Sequence, residues 1–181
     1  MTIEERGQVC SRLESSLQAL AEETKGLSDL QWRFKPDPDS WSVAQCVEHL
    51  ADVEVSVYGR VQSIMQEGFS DPALCQEALG KEVFLSRAVP KRGRKVQAPK
   101  QPGGAAGFSS LAGGLEAFAQ LRGVTLWFAQ TTDAELEKYV YPHFVFGQLN
   151  LQQWLLMLGL HCERHTAQIG EIKANPEFPT A

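Results

Sequence analysis

Four stretches of the chain repeat apolar residues at the three- and four-residue spacing of an amphipathic helix. The first begins after Thr2, where Glu5 completes a capping box, and it ends near Gly26, a common helix stop. Its apolar positions are Val9, Leu13, Leu17 and Leu20. A polar linker follows, and residues 35–40 cannot be helical because two prolines restrict this segment.

The second predicted helix begins at Ser42, with Gln45 at the capping-box position, and runs to about Gly68. Trp41, just before it, is placed to pack against Cys46 as a hydrophobic staple. The helix carries a long apolar stripe formed by Val43, Val47, Leu50, Val53, Val57, Val61 and Ile64.

Residues 69–110 are less regular, with one short helical piece near 72–85, then a basic stretch and a Pro/Gly-rich close at 101–104. A third helix fits residues 111–129, although three glycines weaken the pattern. The fourth begins at Asn150, with Gln153 three residues later, and runs to about Lys173. Few segments have the pattern of strands. We therefore predict an all-α four-helix bundle in which residues 1–181 form a single domain, with a long connection between the second and third main helices.

The chain has 181 residues and a net charge of −5, so a general attraction to nucleic acid or to an anionic membrane is not expected. No apolar run approaches the ~20 residues of a membrane span, and the N-terminus is acidic, unlike a signal peptide. We therefore expect a cytoplasmic protein that binds neither nucleic acid nor a membrane.

Charge is unevenly distributed, because residues 81–100 contain seven Lys or Arg and one acid. Charge runs are usually solvated, which favours an ordinary surface loop. The alternative is that segment 87–100 contacts the substrate, since long connections often form functional covers.

The four cysteines are widely spaced and include no Cys-x-x-Cys pair. In a reducing compartment they are expected to be free thiols. For Cys46 and Cys162 we favour a role as small core residues.

Two of the four histidines, His161 and His165, lie four residues apart on the inner face of the last helix. This spacing allows both imidazoles to bind one cation, and His49, beside the apolar stripe of the second helix, is a third candidate ligand. The other interpretation is a metal-free bundle with buried, hydrogen-bonded histidines. His143, within the expected loop 141–144, is not expected to bind the metal, and we expect it to have a surface or supporting role.

Other residues near the predicted site have smaller roles. Gln168 lies on the inner half of the last helix and could orient a histidine or a water, whereas Glu163 points to the opposite side and is expected to be solvated. Arg164 could pair with a carboxylate at the flank of the helix. Trp41 and Trp154 are interpreted as packing anchors.

Three segments carry a family resemblance: Trp41-Ser42-Val43-Ala44-Gln45 leading to His49-Leu50, the stretch 146–156, and 161–169 with its two histidines. Their order and spacing resemble those of the DinB-like superfamily, which includes the YfiT-type proteins described as metal-dependent hydrolases. The resemblance covers nearly the whole chain, and the segment 161–169 is its most specific part.

The resemblance implies a four-helix bundle in which His49, His161 and His165 bind a divalent metal, with zinc or nickel favoured and iron as a further choice. Members include thiol S-transferases that use bacillithiol or mycothiol. A related domain occurs in iron-dependent sulfoxide synthases, but these have an additional catalytic domain that the present 181 residues do not supply, so that activity is not expected.

The expected function is therefore that of a metal-dependent enzyme acting on a small molecule, with thiol S-transferase or hydrolase chemistry. A low-molecular-weight thiol is one candidate substrate, and its carboxylates could meet the basic segment. The alternative is a noncatalytic metal- or ligand-binding bundle domain. The sequence does not choose between these functions, nor does it decide whether the chain forms a homodimer.

Overall fold

A computed structural model describes residues 1–92 and 108–180 of the chain. Its secondary structure is dominated by α-helices, which confirms the prediction of an all-α fold. The helices are α1 (Ile3–Thr24), α2 (Asp29–Arg33), α3 (Val43–Glu67), α4 (Pro72–Ala78), α5 (Glu82–Ala88), α6 (Leu111–Thr131) and α7 (Leu151–Lys173). Within these described ranges, none of the helices is long and apolar enough to cross a membrane.

The four long helices pack against one another. Helix α1 contacts α7 and α6, and α3 contacts the same two helices. Both halves of a capping box are present at Thr2 and Ser42, where one was predicted, and also at Asn150, which was predicted as an N-cap. Each box satisfies backbone N–H groups that the first helical turn leaves unpaired, so the helix starts are fixed locally.

Helix α2 lies where the sequence was interpreted as a polar linker. Ser28 caps it, and the side-chain oxygen of Gln31 accepts a hydrogen bond from the Ser28 backbone N–H. The side chain of Trp32 is fully buried, which ties this short element to the core. Five residues are too few to show an apolar period, and for this reason the pattern did not reveal the helix.

A β-hairpin connects α6 to α7, in a region predicted to be a loop. Strands β1 (Val140–His143) and β2 (Gly147–Asn150) are antiparallel, and a 3₁₀ turn (Leu136–Lys138) precedes them. Gly147 has φ +67°, a conformation that favours glycine where the chain reverses. Each strand has only four residues and β1 contains Pro142, so the sequence signal for a hairpin is weak.

The connection between the second and third main helices begins with α4 and α5, where a single short helical piece was predicted. Of the basic segment 87–100, the structure describes Arg87, which is exposed, as well as Lys91 and Arg92. Residues 93–100 of that segment and the Pro/Gly-rich stretch 101–104 lie outside the described residues. The prediction that segment 87–100 contacts substrate therefore falls largely on residues outside the described part of the chain.

The core consists of two apolar clusters, one at each end of the long helices. Val61, Phe128 and Leu155 belong to the first cluster, and Val47, Phe118 and Ile169 belong to the second. A polar layer lies between them, where Arg122 of α6 forms a buried ion pair with Glu54 of α3 at 2.8 Å. The candidate functional site lies on the side of the second cluster.

Candidate metal centre

The three histidines singled out in the sequence meet at one point, although they come from two helices. Helix α3 contributes His49, and α7 contributes His161 and His165. Nε2 of His161 lies 3.3 Å from Nε2 of His49 and 3.1 Å from Nε2 of His165. The ligand atoms of all three side chains lie within 4.8 Å of one another. In the described part of the chain, this group contains no carboxylate or thiol.

Local structure explains why these side chains converge. The four-residue spacing places His161 and His165 one helical turn apart, with ring centroids separated by 4.5 Å. The contact between α3 and α7 brings His49 against both rings, at centroid distances of 5.0 and 4.9 Å. The site therefore depends on the packing of these two helices as well as on the sequence of each.

The distances between the nitrogens fit a shared cation. Two imidazole nitrogens bound to a tetrahedral ion at about 2.0–2.1 Å lie about 3.3–3.4 Å apart, and the two contacts of His161 Nε2 are 3.3 and 3.1 Å. Without an ion, Nε2 of His161 offers either one hydrogen or one lone pair, so it cannot make a well-formed hydrogen bond to both neighbours. A divalent ion removes this conflict, and imidazole suits zinc, nickel and iron.

The three rings are held in the neutral form that binds metals. Burial lowers the pKa of His49. Burial, followed by the neighbouring rings of His165 and His49, lowers the pKa of His161 well below its usual value. Burial and then His49 lower the pKa of His165 to about 3. Because protons compete with metals for imidazole nitrogens, this environment favours metal binding.

The Nδ1 atoms of His161 and His165, on the other side of each ring from Nε2, differ in their hydrogen-bond partners. Nδ1 of His165 lies 3.0 Å from Oε1 of Gln168, the residue that the sequence suggested could orient a histidine. Nδ1 of His161 is buried and has no hydrogen-bond partner among the described residues. A metal-binding histidine ordinarily donates its second N–H to an acceptor, so the described partners around these ligands are incomplete.

Trp41 forms a wall of the site, where the sequence suggested a packing anchor. Its ring stacks on His165 at a centroid distance of 5.6 Å and meets His49 edge-on at 4.9 Å. The side chain is 36% exposed, so it lies at the rim of the histidine cluster. A rim aromatic can contact both the ligand rings and a molecule that approaches them.

Cys46 and Cys162 lie near the ligands in the sequence, and both are buried free thiols. Burial raises the pKa of Cys46 to about 12 and that of Cys162 to about 11. Since the thiolate is the form that binds metals and attacks electrophiles, neither cysteine is suited to do so at neutral pH. This agrees with their interpretation as core residues.

The expectation that Glu163 is solvated is wrong. Its carboxylate forms an ion pair with Arg12 of α1 at 2.8 Å, and its side chain is 25% exposed. The side of α7 opposite the histidines packs closely against α1, since a Cβ added at Gly159 would lie 2.7 Å from Cγ of Arg12. The neighbouring Arg164 donates to the backbone carbonyls of Val89 and Lys91.

His143 lies on β1 and is not part of the histidine cluster. Its Nδ1 accepts hydrogen bonds from the backbone N–H groups of Val145 and Phe146, at 3.0 and 3.3 Å. The ring packs against Trp154, whose Nε1 donates to the carbonyl of Tyr141. His143 and Trp154 thus join the hairpin to α7.

Sequence reasoning did not single out Arg92 as an individual residue near the site. Its guanidinium donates to Oε1 of Gln168 at 3.0 Å and to both carboxylate oxygens of Glu171 at 2.8 Å. The only signal was its place in the basic stretch, and no spacing rule relates a residue of that stretch to α7.

The chain matches the family model of the DinB superfamily over residues 12–169, which includes all three histidines of the cluster. It is also 30% identical over 159 residues to the uncharacterized protein YuaE of Bacillus subtilis (strain 168), covering 86% of this chain and 91% of that protein. The chain belongs to the DinB superfamily.

Proposed function

We propose that this chain is a metal-dependent enzyme in which His49, His161 and His165 bind one divalent ion and a small molecule reacts beside it. The observation that carries the proposal is the convergence of three neutral imidazole nitrogens at 3.1 and 3.3 Å. Three protein ligands leave at least one further position for a small molecule, as in catalytic zinc sites. We propose zinc or nickel as the ion, with iron as the alternative.

A divalent ion at this position would supply Lewis acidity, which lowers the pKa of a coordinated water or thiol and so serves both hydrolysis and thiol transfer. The chain's own contribution is to hold the imidazoles neutral through burial and to place them on two packed helices. Neutral ligands cancel none of the ion's charge, so the centre favours an anionic partner.

Two observations favour thiol transfer as the first reaction to test. The cationic groups Arg92 and Arg164 both lie close enough to lower the pKa of His165. Trp41 offers an exposed aromatic surface beside two of the ligands. A positive field stabilises a thiolate, and low-molecular-weight thiols also carry carboxylates that cations attract. Ester or amide hydrolysis is the second candidate because the same ligand set serves it.

Metal content tests the proposal first. Protein purified without added metal is analysed by mass spectrometry for bound zinc, nickel and iron, alongside His161→Ala/His165→Ala. The matched control is His143→Ala, which removes a partly buried histidine outside the cluster. We expect bound metal in the wild type and the control, and its loss in the double variant. Equal metal content in all three proteins would overturn the metal site.

Turnover is then measured with metal-loaded and chelator-treated protein. The panel combines low-molecular-weight thiols and electrophilic acceptors with a separate set of esters and amides. We expect activity that a chelator abolishes and added metal restores. Metal binding without turnover on the whole panel would favour the alternative, a noncatalytic metal- or ligand-binding domain.

A further inference from the structure

We propose that Arg92 is a positioning residue for the metal centre. Its guanidinium fixes the side-chain amide of Gln168, and this amide in turn sets which nitrogen of His165 carries the hydrogen. The benefit to metal binding rests on the proposed function, whereas the effect on His165 is a property of the metal-free protein and can be measured there.

The geometry centres on one atom. Oε1 of Gln168 lies 3.0 Å from Nη1 of Arg92 and 3.0 Å from Nδ1 of His165. An arginine side chain has only donors, so the atom of Gln168 that faces it must be the amide oxygen. Arg92 thus selects one of the two orientations that a glutamine amide can adopt.

This orientation determines the tautomer of His165. Because the same oxygen faces Nδ1 of His165, that nitrogen must carry a hydrogen to make the contact favourable. A neutral imidazole has one ring hydrogen, so Nε2 is left with its lone pair. Nε2 of His165 is the atom that lies 3.1 Å from Nε2 of His161, at the centre of the histidine cluster.

Arg92 is itself firmly held. Its Nε and Nη2 donate to the two carboxylate oxygens of Glu171, both at 2.8 Å, and its side chain is only 26% exposed. A paired, two-point contact of this kind fixes the plane of the guanidinium. Glu171, Arg92, Gln168 and His165 therefore form a continuous chain of hydrogen bonds from the surface to the candidate metal ligands.

Removing Arg92 frees the amide to rotate. The amide NH₂ group of Gln168 can then face Nδ1 of His165 and donate to it, which favours the tautomer with hydrogen on Nε2. That tautomer has no lone pair at Nε2 to offer a metal. His161 provides a contrast, because its Nδ1 has no partner in the described part of the chain.

The test uses three variants of the full chain. Arg92→Ala removes the selecting donor. In Arg92→Ala/Gln168→Glu the amide is replaced by a carboxylate, which can only accept and therefore needs no arginine to orient it. Arg87→Ala is the matched control, because it removes an exposed arginine of the same basic segment.

Long-range ¹H–¹⁵N correlation spectra of the metal-free proteins at pH 8 report the tautomer of His165 directly. We expect hydrogen on Nδ1 in the wild type and in Arg87→Ala, a shift towards Nε2 in Arg92→Ala, and restoration of Nδ1 in the double variant. An unchanged tautomer in Arg92→Ala would overturn the inference, as would failure of the carboxylate to restore it.

Zinc affinity, measured by competition with a chromophoric chelator, provides the second readout. Loss of a group that supports a metal ligand typically lowers affinity about 10- to 100-fold. We expect such a loss in Arg92→Ala and recovery in the double variant. If the tautomer changes as expected but the wild type binds no metal, the positioning role stands and the proposed function fails. If the wild type binds zinc but the tautomer of His165 does not change in Arg92→Ala, the positioning role of Arg92 fails and the proposed metal site stands.

Discussion

The Arg122–Glu54 ion pair and the histidine cluster both lie among the long helices, and they differ in how completely their polar atoms are paired. In the layer between the apolar clusters, every donor of Arg122 has a partner. The guanidinium donates to both oxygens of Glu54, to Oγ of Ser16 and to the carbonyls of Leu13 and Leu158. This group joins the four long helices and leaves none of the arginine's donors free for a ligand.

The histidine cluster is the opposite case. Its Nε2 atoms face one another at 3.1 and 3.3 Å, and Nδ1 of His161 has no partner among the described residues. Buried polar groups that serve the fold are normally satisfied, because an unpaired one costs about 1–3 kcal/mol. The contrast teaches that the donors of Arg122 are satisfied by the protein itself, whereas the Nε2 atoms of the histidine cluster face one another without complementary partners, as the proposed metal site requires.

The largest expected effect concerns the ion pair. Arg122→Met leaves Glu54 buried without its partner, and we expect the free energy of unfolding to fall by about 3–5 kcal/mol. Urea denaturation of the metal-free protein measures it. Arg122→Met/Glu54→Leu removes both charges, so its free energy of unfolding should fall much less than that of Arg122→Met.

The histidines should respond differently from the ion pair. In metal-free protein, His161→Ala/His165→Ala should lose less stability than Arg122→Met, because it also removes atoms that lack partners. A larger loss in the histidine variant would reverse the comparison between the two groups.

A smaller loss of stability is expected from a substitution at Gly159, which lies on α7 between the Arg122 layer and the histidine cluster. Gly159→Ala should lower the free energy of unfolding by about 1–3 kcal/mol, because the added methyl would overlap α1. The new Cβ would lie 2.7 Å from Cγ of Arg12 and 3.1 Å from its backbone carbonyl. The matched control is Gly123→Ala in α6, where the added Cβ would meet no other described atom within 4 Å apart from the backbone of its own helix and its chain neighbours. There the same substitution should raise stability by up to about 1 kcal/mol. Effects of the same sign in both variants would contradict this packing.

The smallest expected effect is the contribution of His143, which lies outside the histidine cluster, to the pH dependence of stability. Burial lowers the pKa of His143 to about 4, below its usual value near 6.5. A group with a depressed pKa in the folded state stabilises the protein fully above pH 6.5 and loses that contribution as the pH falls towards 4. Since the ring is partly exposed, we expect His143 to account for a decrease of about 1 kcal/mol in the free energy of unfolding over this pH range.

Chemical denaturation at a series of pH values measures the contribution of His143. The loss of stability between pH 6.5 and pH 4 should be smaller in His143→Asn than in the wild type. Identical pH profiles would show that His143 does not contribute to the pH dependence.

The parts of the fold that follow local rules were predictable from the sequence. Capping boxes act over four residues, so the starts of α1, α3 and α7 at Thr2, Ser42 and Asn150 were identified correctly. The same holds for the spacing of His161 and His165 on one helix face. His49 could be predicted as the third ligand because the apolar stripe of α3 indicates which side of that helix faces the core, and His49 lies beside that stripe.

The features that the sequence did not reveal depend on contacts between distant segments. Arg122 and Glu54 are 68 residues apart, and nothing local distinguishes them from solvated charges. Arg92 and Gln168 are 76 residues apart, so the bridge to His165 had no sequence signal either. The hairpin was hidden by the shortness of its strands. Glu163 was misjudged because its partner Arg12 lies on another helix.

The central claim is that His49 of α3 and the two histidines of α7 bind one ion together. Calorimetric titration of zinc into metal-free wild type, His49→Ala and His143→Ala tests it most directly. We predict one strong equivalent of zinc in the wild type and in His143→Ala, and a loss of at least tenfold in affinity in His49→Ala. Equal affinity in His49→Ala and the wild type, or no binding in the wild type, would contradict the account.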